Sequence, residues 1–337
     1  LGVIEIVFTN VKPMFFVPRS ASLPEWSFKY SREELSLKTF DERAVDGVYF
    51  KSLKDFKEAT DSCQFGNVET FEADVQVHER LLMERLINVQ CAVSGTVDES
   101  GRYLRFTNPW IKADEVNCSF RVASVDIETG VASDQLYSIA AHITGAGPTS
   151  KMCFMLGDEY KEYPEDNLII LPTEQKVLEA FLAWFQDEDP DIIIGWYVIG
   201  FDLDYMETKC EQFYMDLAIA RNDQRPEIRK TPAGDFATIS GRLVLDGIPC
   251  MRDAGYKFPD NKLETVAQHL LGEGKTIKAS KAEKIAEIER QFKDDKLSLG
   301  RYNIQDCVLV TRIYNEVNMV DIMTNRVKIS GLMMSSM

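Results

Sequence analysis

Asp126 and Glu128 stand two residues apart in the apolar stretch RVASVDIE, residues 121–128. On a strand, that spacing sends both side chains to one face at the strand's C-terminal end. Converging carboxylates cannot be buried bare; they need solvent, a partner cation or a metal ion. Asp202 closes a second apolar run, IIIGWYVIGFD, with a helix expected to begin at about Phe201. A helix N-terminal acid is stabilised there by the macrodipole or by capping, which is compatible with a ligand role. Asp204 is expected to project away from Asp202 into solvent. Tyr302 and Asp306, at i and i+4 of RYNIQDCVLV, put a phenol and a carboxylate on one helix face. A second Tyr-x-x-x-Asp pair, Tyr256 and Asp260, contains Pro259, which forbids an aligned helix.

Four acids with no histidine or cysteine beside them favour hard, oxygen-liking ions, Mg²⁺ or Mn²⁺, over zinc. Two such ions about 4 Å apart form the clamp used for in-line phosphodiester displacement. In that arrangement Tyr302 would orient the attacking water. The seven cysteines are scattered singly, and His78, His142 and His269 are equally dispersed. This scatter argues against a zinc site and a disulfide framework, and Cys91, Cys118, Cys153 and Cys250 read as small core fillers.

Such a site needs a scaffold, and 337 residues suffice for about two domains. With 45% hydrophobic and 27% charged residues the composition is that of a globular chain. A net charge of -16 argues against a broad face for duplex nucleic acid, though not against a narrow cleft. No apolar run approaches the ~20 residues needed to cross a bilayer. The first residues lack an export signal, so no membrane partner and a cytoplasmic location are expected.

From residue 120 onward, FRVASVDIE, LYSIAAHIT and KMCFML predict three strands in an antiparallel meander. Val177, Leu178, Phe181, Leu182, Trp184 and Phe185 have helical spacing. DIIIGW reads as a buried strand and GRLVLDGIPC as another, and three helical patterns close the chain. This order predicts an α/β fold over residues 120–330, a ribonuclease H-like mixed sheet with helices on both faces. Residues 1–119 read as a separate α+β domain, with strands at 4–8, 14–17, 48–50 and 71–75 around one helix at 78–88. Asp187, Glu188, Asp189 and Asp191 read as a solvated turn. GEGK at 272–275 lacks the spacing of a phosphate loop, and the terminal GLMMSSM reads as an edge that packs on further polypeptide.

The order VDIET (125–129), GWYVIGFD (195–202) and YNIQD (302–306) resembles the three exonuclease motifs of the B-family DNA polymerases. DPDIIIGW, GRLVLDGI, LETVAQHLLGEGK and YNIQDCVLVTRIY are similar to bacterial members, and FEADVQVHERLLMERLI to that family's N-terminal domain. The resemblance implies a proofreading 3′ to 5′ exonuclease acting on frayed single-stranded DNA ends. Carried over by position, it implies Asp126, Glu128, Asp202 and Asp306 as ligands of two Mg²⁺ or Mn²⁺ ions, and Tyr302 as the water-positioning phenol. It also implies Tyr197 and Phe201 as contacts to the substrate strand.

One position departs from the family pattern G-W-N-V-x-x-F-D, in which an Asn expected to bond the strand is replaced here by Tyr197. A tyrosine could instead stack on a base, worth about 1–3 kcal/mol, or weaken the nuclease. Polymerase motifs of the kind D-x-x-S-L-Y-P-S and Y-G-D-T-D-S are absent from these residues. Together with Leu1 in the middle of a strand pattern, this reads as an N-terminal piece of a polymerase. Primer-template DNA and a sliding clamp are then expected partners of the whole protein, in a bacterial nucleoid. Two other readings stay open, a stand-alone exoribonuclease of the same carboxylate type and a degenerate DNA-binding scaffold.

Overall fold

The computed structural model describes residues 3–331 apart from 132, 223, 233 and 273–280. GEGK beyond Gly272 and the last six residues lie outside the described residues. Two compact units are present, one reaching Val116 and taking in the chain again from Val327, the other spanning Asn117–Arg326.

The first unit runs β1 (Ile4–Val7), β2 (Met14–Pro18), β3 (Tyr30–Lys38), β4 (Ala44–Phe50), α1 (Leu53–Phe65), α2 (Val77–Glu84), β5 (Cys91–Ser94), β6 (Val97–Asp98), β7 (Leu104–Thr107) and β8 (Trp110–Ala113). Phe15, Val17, Val48 and Phe50 of the antiparallel β2-β4-β3 sheet pack on Ala59 and Cys63 of α1. Six elements here escape the sequence reading, the short strands β5 to β8 together with α1 and β3. Helix α1 is mostly polar and is announced chiefly by its cap, Ser52, whose hydroxyl accepts the Asp55 N–H. Strand β3, YSREELSLK, is largely exposed and lacks a clean alternation. The strand expected at 71–75 is only a bridge between Phe71 and Phe16. Helix α2 ends at Glu84, short of the expected residue 88, where Leu86 turns left-handed at φ 55°.

The second unit continues with β9 (Arg121–Gly130), β10 (Gln135–Gly145), β11 (Ser150–Leu156), β12 (Lys161–Tyr163), β13 (Leu168–Leu171), α3 (Glu174–Glu188) and β14 (Ile192–Gly195). A π-helical turn (Val198–Leu203) leads into α4 (Asp204–Gln212), β15 (Glu227–Thr231), β16 (Gly234–Thr238) and β17 (Leu243–Asp246). Helices α5 (Gly247–Asp253), α6 (Leu263–Leu271), α7 (Lys281–Asp294), α8 (Lys296–Glu316) and α9 (Met319–Ser330) follow, the last of them belonging to the first unit from Val327 onward.

Strands β12-β13-β11-β10-β9-β14-β17 form one mixed sheet, with the β9, β10, β11 meander antiparallel and β14 parallel to both β9 and β17. This is the ribonuclease H-like α/β arrangement. Alternation along the strands decides which helix each side chain meets. Ala123, Val125 and Ile127 of β9 and Ile139, Ala141 and Ile143 of β10 pack under α3 and α4. Ala140, Cys153 and Met155 face the other way, onto Leu299, Ile304 and Cys307 of α8. In β14, Ile193 faces α3 while Ile192 and Ile194 face α8, so the uninterrupted apolar run reflects burial on both faces.

The acidic cluster is not a solvated turn. Glu188 pairs with Arg121, Asp189 with Arg221 at 2.8 Å and with the fully buried Arg242 at 2.7 Å, and Asp191 with Arg221 at 2.8 Å. Burial alone would raise Asp189, but its hydrogen bonds from Arg221 and Arg242 hold it below the ordinary carboxylate value. Asp187 is exposed. The three arginines come from distant positions, which a local reading of the acids cannot see. Cys118 is exposed rather than a core filler, Cys91 is half-buried, and Cys153 and Cys250 are buried. Among the described residues no helix is long and apolar enough to cross a membrane.

Candidate active site

Because Val125 and Ile127 point to α3, the alternating Asp126 and Glu128 point to the α8 side of the sheet. Asp306, one turn beyond Tyr302 on α8, meets them there. Oxygens of Asp126, Glu128 and Asp306 lie within 4.8 Å of one another. Glu128 is 9% exposed and Asp306 5%, while Asp126 is half-buried, so like charges meet here largely out of water.

Asp202 has a different setting from the expected start of an α-helix. It sits inside the π-helical turn, 3% exposed, and its Oδ1 accepts the Ile127 N–H at 3.0 Å. Among the described residues it is outside the 4.8 Å carboxylate group, although its charge acts on Asp126. Helix α4 starts only at Asp204, whose carboxylate turns outward and accepts from Lys230 Nζ at 2.6 Å.

The π turn is pinned by Asp246. Its Oδ1 accepts the Tyr197 and Ile248 N–H groups at 3.1 and 3.2 Å, and its Oδ2 accepts that of Ile199 at 3.1 Å. Tyr197 at the head of the turn has φ 67°, in the left-handed region. Asn tolerates that region far better than an aromatic residue does. Its ring lies across Gly200, where an added Cβ would come within 2.5 Å of it. Tyr197, Phe201 and, on β16, Phe236 are 49%, 43% and 48% exposed, so three aromatic side chains of this region meet solvent.

Burial pushes Asp126 well above the ordinary carboxylate value, and the charges of Asp202, Asp306 and Glu128 add to the rise. Asp202 is likewise raised by burial, against the hydrogen bond from Ile127. Burial, then the charges of Asp306 and Glu128 and a hydrogen bond to Asp306, raise the Tyr302 phenol far above its usual value. Lys284 of α7 opposes the rise of Asp126 and holds its Nζ 5.5 Å from the centre of the Tyr302 ring. Sequence reasoning missed Lys284, one of several charged residues on an amphipathic helix. Three hard oxygen donors at this separation fit a divalent cation, which would relieve their mutual repulsion.

Residues 68–266 match the family model described as DNA polymerase family B, exonuclease domain. The match covers more than half of the chain, and the chain belongs to this family. DNA polymerase II of Escherichia coli is 32% identical over 322 residues, spanning 94% of this chain and 40% of that protein. A DNA polymerase of Thermococcus litoralis is 30% identical over 139 residues, 41% of this chain and 8% of that one. The structure of the family B DNA polymerase from the hyperthermophilic archaeon Pyrobaculum calidifontis superposes with a TM-score of 0.74 at 16% identity. It covers 98% of this chain and 44% of that chain, which shows the fold. This chain therefore spans less than half the length of those relatives.

Proposed function

We propose that this chain is the proofreading part of a family B DNA polymerase, a 3′ to 5′ exonuclease that hydrolyses the terminal phosphodiester of single-stranded DNA. The observation that carries the reading is the meeting of Asp126, Glu128 and Asp306 oxygens within 4.8 Å on a ribonuclease H-like sheet. These three, with Asp202 nearby, would hold two Mg²⁺ or Mn²⁺ ions. When bound, the ions supply an ionised water and charge stabilisation at the leaving 3′ oxygen. The water oxygen bonds to phosphorus as the bond to the 3′ oxygen breaks, giving a nucleoside 5′-monophosphate and a strand one residue shorter.

Tyr302 orients the attacking water. Its raised pKa keeps the phenol protonated, so it acts through hydrogen bonding and not as a base. Lys284 offsets part of the carboxylate charge. Tyr197 and Phe201 stack against bases at the strand end, where aromatic platforms bind without sequence preference. Primer-template DNA and a sliding clamp are partners of the whole polymerase, which acts at the bacterial nucleoid.

The test compares release of 3′ nucleotides from matched DNA and RNA oligonucleotides in Mg²⁺ by wild type and Asp126→Ala. DNA cleavage lost in the variant supports the proposal. Preference for RNA would instead identify an exoribonuclease, and Mn²⁺ binding that is the same in wild type and Asp126→Ala would leave only a scaffold.

A further inference from the structure

Beneath the acidic triad runs a line of buried polar groups that the proposed reaction does not use. Asn303 follows Tyr302 on α8 and precedes Asp306 by three residues, so it shares a helix face with Asp306. It is fully buried, as is Ser138 of β10. Asn303 Nδ2 donates to Asp126 Oδ2 at 2.6 Å, and Asn303 Oδ1 accepts from Ser138 Oγ at 2.7 Å. Cys153 Sγ lies 4.0 Å from the same amide oxygen.

Ser138 reaches the amide because β10 is irregular at this point. The pairing with β9 shifts register between Leu136 and Ser138, leaving Ser138 opposite Glu128. The extra residue turns Tyr137 to the same side, where its hydroxyl donates to Glu289 of α7 at 2.6 Å. A bulge of this kind re-aims side chains next to a site.

Packing alone does not call for an amide here. A fully buried Asn must satisfy its polar atoms, whereas a leucine of nearly the same shape would fill the space without that demand. The bonding also permits a single orientation. In the charged form that takes up a cation the carboxylate can only accept, so the NH₂ group faces Asp126, and the oxygen is left to the Ser138 hydroxyl.

We propose that Asn303, held by Ser138, is a positioning residue that fixes the Asp126 carboxylate in the geometry that takes up the divalent cations. The proposal rests on the nuclease reading of the same site. With one carboxylate oxygen tied to the amide, Asp126 meets Glu128 and Asp306 in one rotamer and loses little freedom when a cation binds. Partners that orient metal ligands are typically worth ~10–100-fold in metal affinity.

Calorimetric titration of Mn²⁺ into the full chain tests this, in wild type, Asn303→Leu, Ser138→Ala and Asp126→Ala, with the thermal midpoint of each metal-free protein measured alongside. Asn303→Leu is expected to bind Mn²⁺ about 10-fold or more weakly at an unchanged or higher midpoint. Ser138→Ala, which cannot overpack, is expected to shift affinity in the same direction by less. In exonuclease assays the Mn²⁺ concentration for half-maximal rate rises by a similar factor in Asn303→Leu, with a smaller change at saturating metal. Wild-type affinity in a folded Asn303→Leu overturns the proposal, and so does wild-type affinity in Ser138→Ala should the leucine variant not fold. Equal Mn²⁺ binding by wild type and Asp126→Ala overturns the nuclease reading beneath it, an outcome the Asp126 arm separates from the other two.

Discussion

The Asp126 carboxyl is shaped by what surrounds it more than by its own chemistry. Burial and the neighbouring acids raise it well above its ordinary 3.8, and burial does the same to Asp202. A carboxyl whose folded-state pKa is raised contributes stability that is fully present below the unfolded value and is lost as pH climbs through the folded value. Compared with Asp126→Asn, metal-free wild type is therefore expected to lose stability as pH rises from about 4 toward neutrality. Mn²⁺ should cancel that loss by favouring the charged form. Thermal midpoints across pH, in chelator and in Mn²⁺, measure this; parallel curves for the two proteins would contradict it. Tyr197 is the second residue whose surroundings make a claim. A bulky residue at φ 67° stores about 1 kcal/mol of strain. Tyr197→Asn should raise unfolding stability in urea by about that amount and increase turnover on single-stranded DNA. Unchanged stability and turnover would show that the position matters little.

At the level of elements, the π turn between β14 and α4 is what sets Asp202 against β9. Asp246, buried at the end of β17, anchors it by accepting the Tyr197 and Ile199 N–H groups, while also capping α5 through the Ile248 N–H. Asp246→Ala strands those donors and should cost about 3 kcal/mol, with a larger fractional loss of nuclease activity than of folded protein at 25 °C. Equal losses, by activity assay and circular dichroism, would mean the turn does not position the site. This turn also marks where sequence legibility ended. Strands β9 and β14 and helices α3 and α8 carry their own apolar periodicity, so Asp126, Glu128, Tyr302 and Asp306 could be assigned to faces from the residues alone. Asp202 could not, because the group that opens its helix into a wide turn lies far along the chain at Asp246. Strand β13 has only four residues, LIIL, and the β15-β16 hairpin, EIRKT with GDFAT, is polar and exposed, so neither declared itself by pattern. Asn303 and Ser138 looked like ordinary polar residues until the bulge in β10 brought them together.

Over the whole molecule, the net charge of -16 is compatible with a nucleic-acid enzyme because not every acid faces solvent. Several are spent internally. Glu188, Asp189 and Asp191 clamp Arg121, Arg221 and Arg242, and others converge in the candidate site. The chain spans 40% of its Escherichia coli relative, so the surfaces that would grip a primer-template duplex need not lie within it. Duplex affinity of this chain alone is expected to be weak and single-strand cleavage to persist. The most direct test is single-turnover release of the terminal nucleotide from a 3′-mismatched primer in Mg²⁺, by wild type and by Asp306→Ala. Wild type should release a 5′-monophosphate, and the variant, lacking one member of the triad, should be slower by more than ~100-fold. Equal rates for the two proteins, or no release by wild type, would contradict the claim that these distant acids meet to hold the catalytic cations.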